Sequence, residues 1–349
     1  MTDQTSSQEA ESPLLNWCRS LPKVELHLHL EGAIPIPALW QLVQKYGGDP
    51  LVPNEDALRE YFRFRDFPHF IELWVWKNNF LREYEDFTFF SAAVAEEMKA
   101  ENIRYAETFI SPGRFKPEGL ETGRLLEAVR TGLDSVRGIE VALVPDLVRD
   151  LGPETASEVL EEVAELRSLG VVGIGMGGSE HNYPPELFTD VYCRARELDL
   201  HTTIHAGEAA GAKSVRGAIN ALEVERIGHG TRAIDDPELM SQLAESQLPI
   251  EMCPLSNVAT AVVSSIAEHP VRKFFDHGLM VSINSDDPAM FGNSLSQDYA
   301  ELMADLSFTP DEVRTLILNG IESSWLESGR KSALEAAFID VPVWNDDPA

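Results

Sequence analysis

The chain has 349 residues, 44% of them hydrophobic and 25% charged, with a formal net charge of −30 at pH 7. That length suits one large domain or two ordinary ones with a sizeable core, and the composition excludes a disordered chain. So acidic a surface repels nucleic acid and anionic lipid, and neither is expected as a partner; the acidity is spread along the chain and fits either high-salt adaptation, where screening removes self-repulsion, or plain solubility.

Residues 1–18 are polar and acidic, lack the basic and apolar regions of a signal peptide, and predict a flexible lead. Cys18, Cys193 and Cys253 are too widely spaced for a disulfide framework, which fits a reducing compartment, and no apolar run approaches a membrane span. A cytoplasmic protein is expected. The first strand-like run is VELHLH (24–29). A long connection, 30–102, follows it, with helical patterns at 35–47, 67–82 and 87–102. The runs IRYAETFIS (103–111), EVALVPDLV (140–148), VVGIGMGG (171–178), HTTIHAGE (201–208), RIGHG (226–230), PIEMCPLSN (249–257) and VSINSDDP (281–288) come next. Helical patterns at 122–138, 156–170, 186–200 and 236–247 fall between them. Each run has the length and apolarity of a strand buried on both faces. Eight strands alternating with helices predict a parallel (β/α)8 TIM barrel, a single domain over 19–335, with a helical insertion between strands 1 and 2 and a tail over 336–349. Insertions of that length build a lid or pocket wall.

Chemistry-bearing residues cluster at the ends of these runs. His27 and His29 end the first, His205 and Glu208 the fifth, His229 the sixth, and Asp286 and Asp287 the eighth. Barrel enzymes place catalysis at the C-terminal ends of their strands. His27 and His29, two residues apart, share one strand face, so two imidazoles can chelate one ion. Alone, a His-x-His pair is as well explained by buried structural histidines, and Ser-Asp-Asp-Pro by a turn. Together, four strand ends bring a donor set to one rim. Three imidazoles and one carboxylate, His27, His29, His205 and Asp286, suit one zinc ion with room for a water, whose pKa zinc lowers. His229 and Asp286 are placed to orient that water and take its proton. Glu208, just beyond the fifth strand, is placed to reach a substrate, where desolvation would raise its pKa and make it a general acid.

The segments ELHLHLEGA, GMGGSE, HAGE, RIGHGTR and NSDDPAMFG resemble the motifs of the adenosine and adenine deaminases of the amidohydrolase superfamily, from about residue 21 to 330. The resemblance implies that His27, His29, His205 and Asp286 bind zinc and that Glu208 protonates purine N1. It implies that His229 orients and stabilises the attacking hydroxide, that Asp287 bonds N7, and that the Gly178 amide reaches the ring near N3. Adenosine deaminases usually carry His-Leu-Asp-Gly, whose aspartate contacts ribose; here Glu31 stands in that place, as in adenine deaminases, where the sugar site is filled. GMGGSEHNYPP also resembles the adenine and aminodeoxyfutalosine deaminases, whereas FIELWVWKNNFL and SDDPAMFG resemble the adenosine type. The expected activity is deamination of adenosine or 2′-deoxyadenosine to inosine or 2′-deoxyinosine. The alternatives are adenine deamination and aminodeoxyfutalosine-type deamination, and, more remotely, a non-catalytic purine-binding barrel.

GIGMGG (173–178) also matches a dinucleotide-binding turn, but it follows a fourth strand and leads into SEHNYPP rather than a helix. Phe67, Phe70, Trp74, Trp76 and Phe80 suit a lid over the purine or core packing; Trp74 and Trp76 cannot both face one way on a helix. Met290 and Phe291 would wall the site or merely pack, and Cys253 is expected as a buried neutral thiol. The remaining histidines, His69, His181, His201, His269 and His277, are expected to be surface or structural.

Overall fold

Eight parallel strands, β1 Lys23–His29, β2 Ile103–Ile110, β3 Glu140–Pro145, β4 Gly173–Ile174, β5 His201–Ala206, β6 Arg226–His229, β7 Ile250–Met252 and β8 Val281–Ile283, stand in sequence order. This computed structural model describes residues 12–346. Bridges from Leu143 to Val171 and from Asp146 to Gly175 join β3 to β4, and one from Leu28 to Asp286 joins the end of β8 to β1. The sheet therefore closes into the expected (β/α)8 barrel, with helices between consecutive strands on its outside.

The strands are shorter than the apolar runs that announced them. The run over 249–257 stops being strand after Met252, because Pro254 opens the helix Pro254–Ala259. That turn carries Ser256 and Asn257 back over the rim. The insertion between β1 and β2 holds the helices Ile36–Lys45, Phe67–Asn78 and Tyr84–Ala100, as the periodicity predicts. The third starts before residue 87 because Glu83 and Asp86 form a reciprocal capping box. A further short helix, Glu55–Tyr61, is capped by the Asn54 side chain, which accepts from Ala57 N at 2.8 Å.

The start of the chain departs from expectation where it is described. Residues 1–11 lie outside the described residues, but Pro13–Ser20 is a helix, not a flexible lead, with Trp17 and Cys18 buried. The buried Lys23 ammonium caps it, donating to Cys18 O at 2.8 Å and Leu21 O at 2.9 Å. The described part of the tail is also folded. Helix Ser328–Ile339 leads to a turn at which Trp344 meets Trp17 edge-on at 6.0 Å, and Trp17 Nε1 donates to Val343 O. Two amphipathic ends that each lack a core of their own cover one another. Among the described residues no helix is long and apolar enough to cross a membrane.

Candidate active site

The expected donors converge at the C-terminal rim. One ligand atom from each of His27, His29, His205 and Asp286 lies within 4.8 Å of the others, and all four residues are buried. His205 Nε2 stands 3.1 Å from His27 Nε2 and 3.0 Å from His29 Nε2. Asp286 Oδ1 is 3.4 Å from His29 Nε2 and 3.7 Å from His27 Nε2. The i, i+2 spacing on β1 delivers the first pair, and β5 and the end of β8 deliver the others. Asp286 and His229 both adopt left-handed backbone, φ 68° and 61°, a local strain that the closed barrel sustains.

The donor chemistry fits a cation. Burial holds His29 at about 3 and His27 and His205 well below the usual imidazole range, so all three are neutral. His27 Nδ1 donates to Glu251 Oε2 at 2.8 Å, which leaves the Nε2 lone pair facing inward. Lone pairs crowded to about 3 Å repel unless a cation lies among them, and ligands 2.0–2.1 Å from one tetrahedral ion stand roughly 3.3 Å apart. His27, His229 and Cys253 also lie close together. Burial and the neighbouring carboxylates push the Cys253 thiol well up, so it stays protonated and is the poorer donor.

Around the donors lies a cavity of 230 Å³ lined by Glu208, His229, Asp287 and Gly178, and also by Asp146, Asp150, Leu151 and Arg114. Glu208 Oε2 is 3.7 Å from His229 Nε2. Burial, then the charges of Asp286 and Glu180, raises the Glu208 carboxyl well above its usual range, which favours the protonated form. Burial and Asp286 do the same for Asp287. Gly178 has φ +102°, and a Cβ there would come within 2.1 Å of Asp150 Oδ2, so only glycine fits this wall. Phe67, Phe70, Ile71, Trp74 and Val75 roof the cavity. Trp76 turns the other way, bonding Asp49 and packing on Tyr61 and Phe80. Met290 is buried, and Phe291 packs on Phe64 and Phe70 behind the roof.

Glu31, expected among the substrate-binding residues in the place of a ribose-contacting aspartate, is fully buried, and its Oε1 accepts from Ser111 N at 2.8 Å. Sequence patterning also missed several supporting residues. Ser256 Oγ donates to Asp286 Oδ2 at 2.6 Å. Asn257 Nδ2 lies 3.1 Å from His229 Nδ1, while Asn257 Oδ1 accepts from Thr231 and from His269, so the amide orientation is fixed and its NH2 donates to His229. His229 Nε2 then carries the proton and points into the cavity. His269, a structural histidine as expected, thus holds the residue that holds His229. The buried Lys77, bonded to Asn78, sets its charge against the burial of Glu31 and Asp287. Polar residue type at separate strand ends gave no local signal for these pairings.

A (β/α)8 barrel with this rim is a hydrolase of the amidohydrolase type, acting on a C–N bond. The Adenosine deaminase family model matches residues 22–341, and the chain belongs to that family. It is 34% identical to an aminodeoxyfutalosine deaminase of Streptomyces avermitilis, over 97% of this chain and 96% of that protein. The structure resembles that of the adenine deaminase from Arthrobacter aurescens, with a TM-score of 0.88 and 32% identity over 92% of this chain and 99% of that one. It also resembles an amidohydrolase from Burkholderia ambifaria with bound Zn, with a TM-score of 0.87 and 28% identity over 98% of this chain and 95% of that one.

Proposed function

We propose that the protein is a zinc-dependent hydrolase that replaces the 6-amino group of a purine by oxygen, with adenine as its substrate. The observation that carries the reading is the buried Glu208 carboxyl, whose Oε2 lies 3.7 Å from His229 Nε2, beside the three-imidazole, one-carboxylate donor set; its burial favours the protonated form. Zinc held by His27, His29, His205 and Asp286 would supply the Lewis acidity that makes water nucleophilic near neutral pH.

The chain's own groups do the rest. The purine lies under the aromatic roof, with the Gly178 amide toward N3 and Asp287 toward N7. Glu208 gives its proton to N1, which draws electrons from C6. Water adds to C6 and the Asp286 carboxylate takes its proton. His229 Nε2–H donates to the oxygen; its bonding to Asn257 supports this donor role over the base role that its position alone also allowed. The C6–N bond of the tetrahedral adduct then breaks, the proton that the water gave up leaves with ammonia, and the adduct's hydroxyl proton passes to Glu208 as the C6–O double bond forms, which restores the acid. Adenine and water give hypoxanthine and ammonia.

The similar proteins favour the alternative substrates over adenosine. Glu31 supports them too, because it is fully buried with its Oε1 held by Ser111 N, and it is not among the residues that line the cavity. A purine substituted at N9, as in the aminodeoxyfutalosine-type reaction, is the second reading, supported by the 34% identity to an aminodeoxyfutalosine deaminase and by the presence of Arg114, Asp150 and Leu151 in the cavity lining. A panel of adenine, adenosine, 2′-deoxyadenosine and a 5′-substituted adenosine tests both, followed by loss of 6-aminopurine absorbance. Adenine leading in kcat/KM by about tenfold or more supports the first reading. A lead for the 5′-substituted nucleoside supports the second. Zinc-loaded protein that deaminates none of them refutes both and revives the non-catalytic barrel.

A further inference from the structure

The loop that carries Glu208 is held by a buried carboxylate from another loop. Glu180, 3% exposed, ends the GMGGSE segment after β4. Its Oε1 accepts from Gly207 N at 2.5 Å, and its Oε2 accepts from Glu208 N at 3.2 Å and Ala210 N at 2.9 Å. Residues 207–210 belong to neither a strand nor a helix, so these amides take their acceptors from the side chain. Arg149, fully buried, ties the same two segments from the carbonyl side. Its Nη2 donates to His205 O at 2.6 Å and Met176 O at 3.3 Å, and its Nη1 to Tyr183 O at 3.1 Å. Two residues before Glu180, Gly178 forms the cavity wall, and Asp150 Oδ2 pins the residue between them by accepting from Ser179 N at 2.7 Å.

We propose that Glu180 is a positioning residue that fixes the Glu208 carboxyl relative to the Gly178 wall. The role rests on Glu208 acting as the proton donor. One short turn carries both the edge that reads the purine and the carboxylate that fixes the acid. The distance between ring nitrogen and acid is thereby set by charge-assisted bonds rather than by loop conformation. A general acid displaced by about 1 Å loses on the order of 10²-fold in rate.

The test uses the full-length, zinc-loaded protein and the variants Glu180→Gln, Glu180→Asp and Glu180→Ala. Hydrogen–deuterium exchange is measured for peptides over 206–211, alongside zinc content, kcat and KM. Charge-assisted bonds of this kind slow exchange by about 10- to 100-fold. Glu180→Gln and Glu180→Ala are therefore expected to exchange faster there by that factor, with the strands unchanged. Their kcat should fall about 10- to 100-fold while KM stays within about threefold and zinc content holds. Glu180→Asp, which keeps the charge and loses reach, should recover part of kcat. Unchanged exchange over 206–211 overturns the proposal, as does a parallel loss of kcat, KM and zinc in all three variants. If the parent protein deaminates no 6-aminopurine, the functional reading has failed, and the exchange result alone still judges the clamp.

Discussion

Replacing Glu251 by glutamine should loosen the metal site from behind. Glu251 is fully buried; its Oε2 accepts from His27 Nδ1 at 2.8 Å and its Oε1 pairs with Arg226 Nε at 2.6 Å. Arg226, itself buried, is shared with Glu107, which in turn accepts from Tyr105 and Trp325. Burial pushes the Glu251 carboxyl up to about 7, against the pull of Arg226. In Glu251→Gln the imidazole keeps an oxygen acceptor but loses its charge, so His27 becomes a weaker and less fixed donor. Changes of this kind behind a metal-bound histidine typically cost 10- to 100-fold in affinity, about 1.4–2.8 kcal/mol. Arg226 loses one of two carboxylates, and since removing a sole buried partner costs about 3–5 kcal/mol, retaining Glu107 should limit the loss to about 2 kcal/mol. Zinc competition against a chromophoric chelator measures the first effect, and urea unfolding of the metal-free protein measures the second. A variant that binds zinc within about twofold of the parent would refute the claim that Glu251 orients His27.

Glu208→Gln should lower kcat by roughly 10²- to 10⁴-fold at unchanged zinc content; an unaltered kcat would remove Glu208 from the chemistry. Trp74→Ala opens the roof of the cavity and should raise KM about tenfold with little change in kcat, as expected for one lost stacking contact on a base. Glu312 closes a capping box with Thr309 and pairs with Arg272 at 2.7 Å, and the Arg272 hydrogen bond is the main influence that lowers its carboxyl to about 2. A carboxyl depressed in the folded state stabilises above its unfolded pKa near 4.5 and loses that contribution as pH falls through about 2. Glu312→Gln should therefore cost about 1 kcal/mol at pH 7 after solvent screening, with the difference from the parent shrinking between those pH values in urea titrations. A difference that stays constant with pH would assign the effect to packing instead.

The sequence by itself determined the barrel and its rim. Eight β-branched runs separated by helical periods leave a parallel barrel as the natural closure, and the two-residue period of a strand by itself puts His27 and His29 on one face. His205, His229 and Asp286 were legible for the same reason, since each sits where a buried run ends. What surrounds them was decided only in three dimensions. Glu251 meets His27 across 224 residues, and no local pattern distinguishes it from any other acid on a strand. Pro254 cut the seventh run short and turned Ser256 and Asn257 onto Asp286 and His229. Glu31 kept its place beside the site but spent its hydrogen bond on Ser111. At the chain ends, a segment too polar to predict order is folded, with Trp17 and Cys18 buried in the core and Trp17 meeting Val343 and Trp344 from the far end of the described residues. Local periodicity fixes which faces are buried; the partners of buried polar groups depend on which distant elements the closed barrel brings into contact.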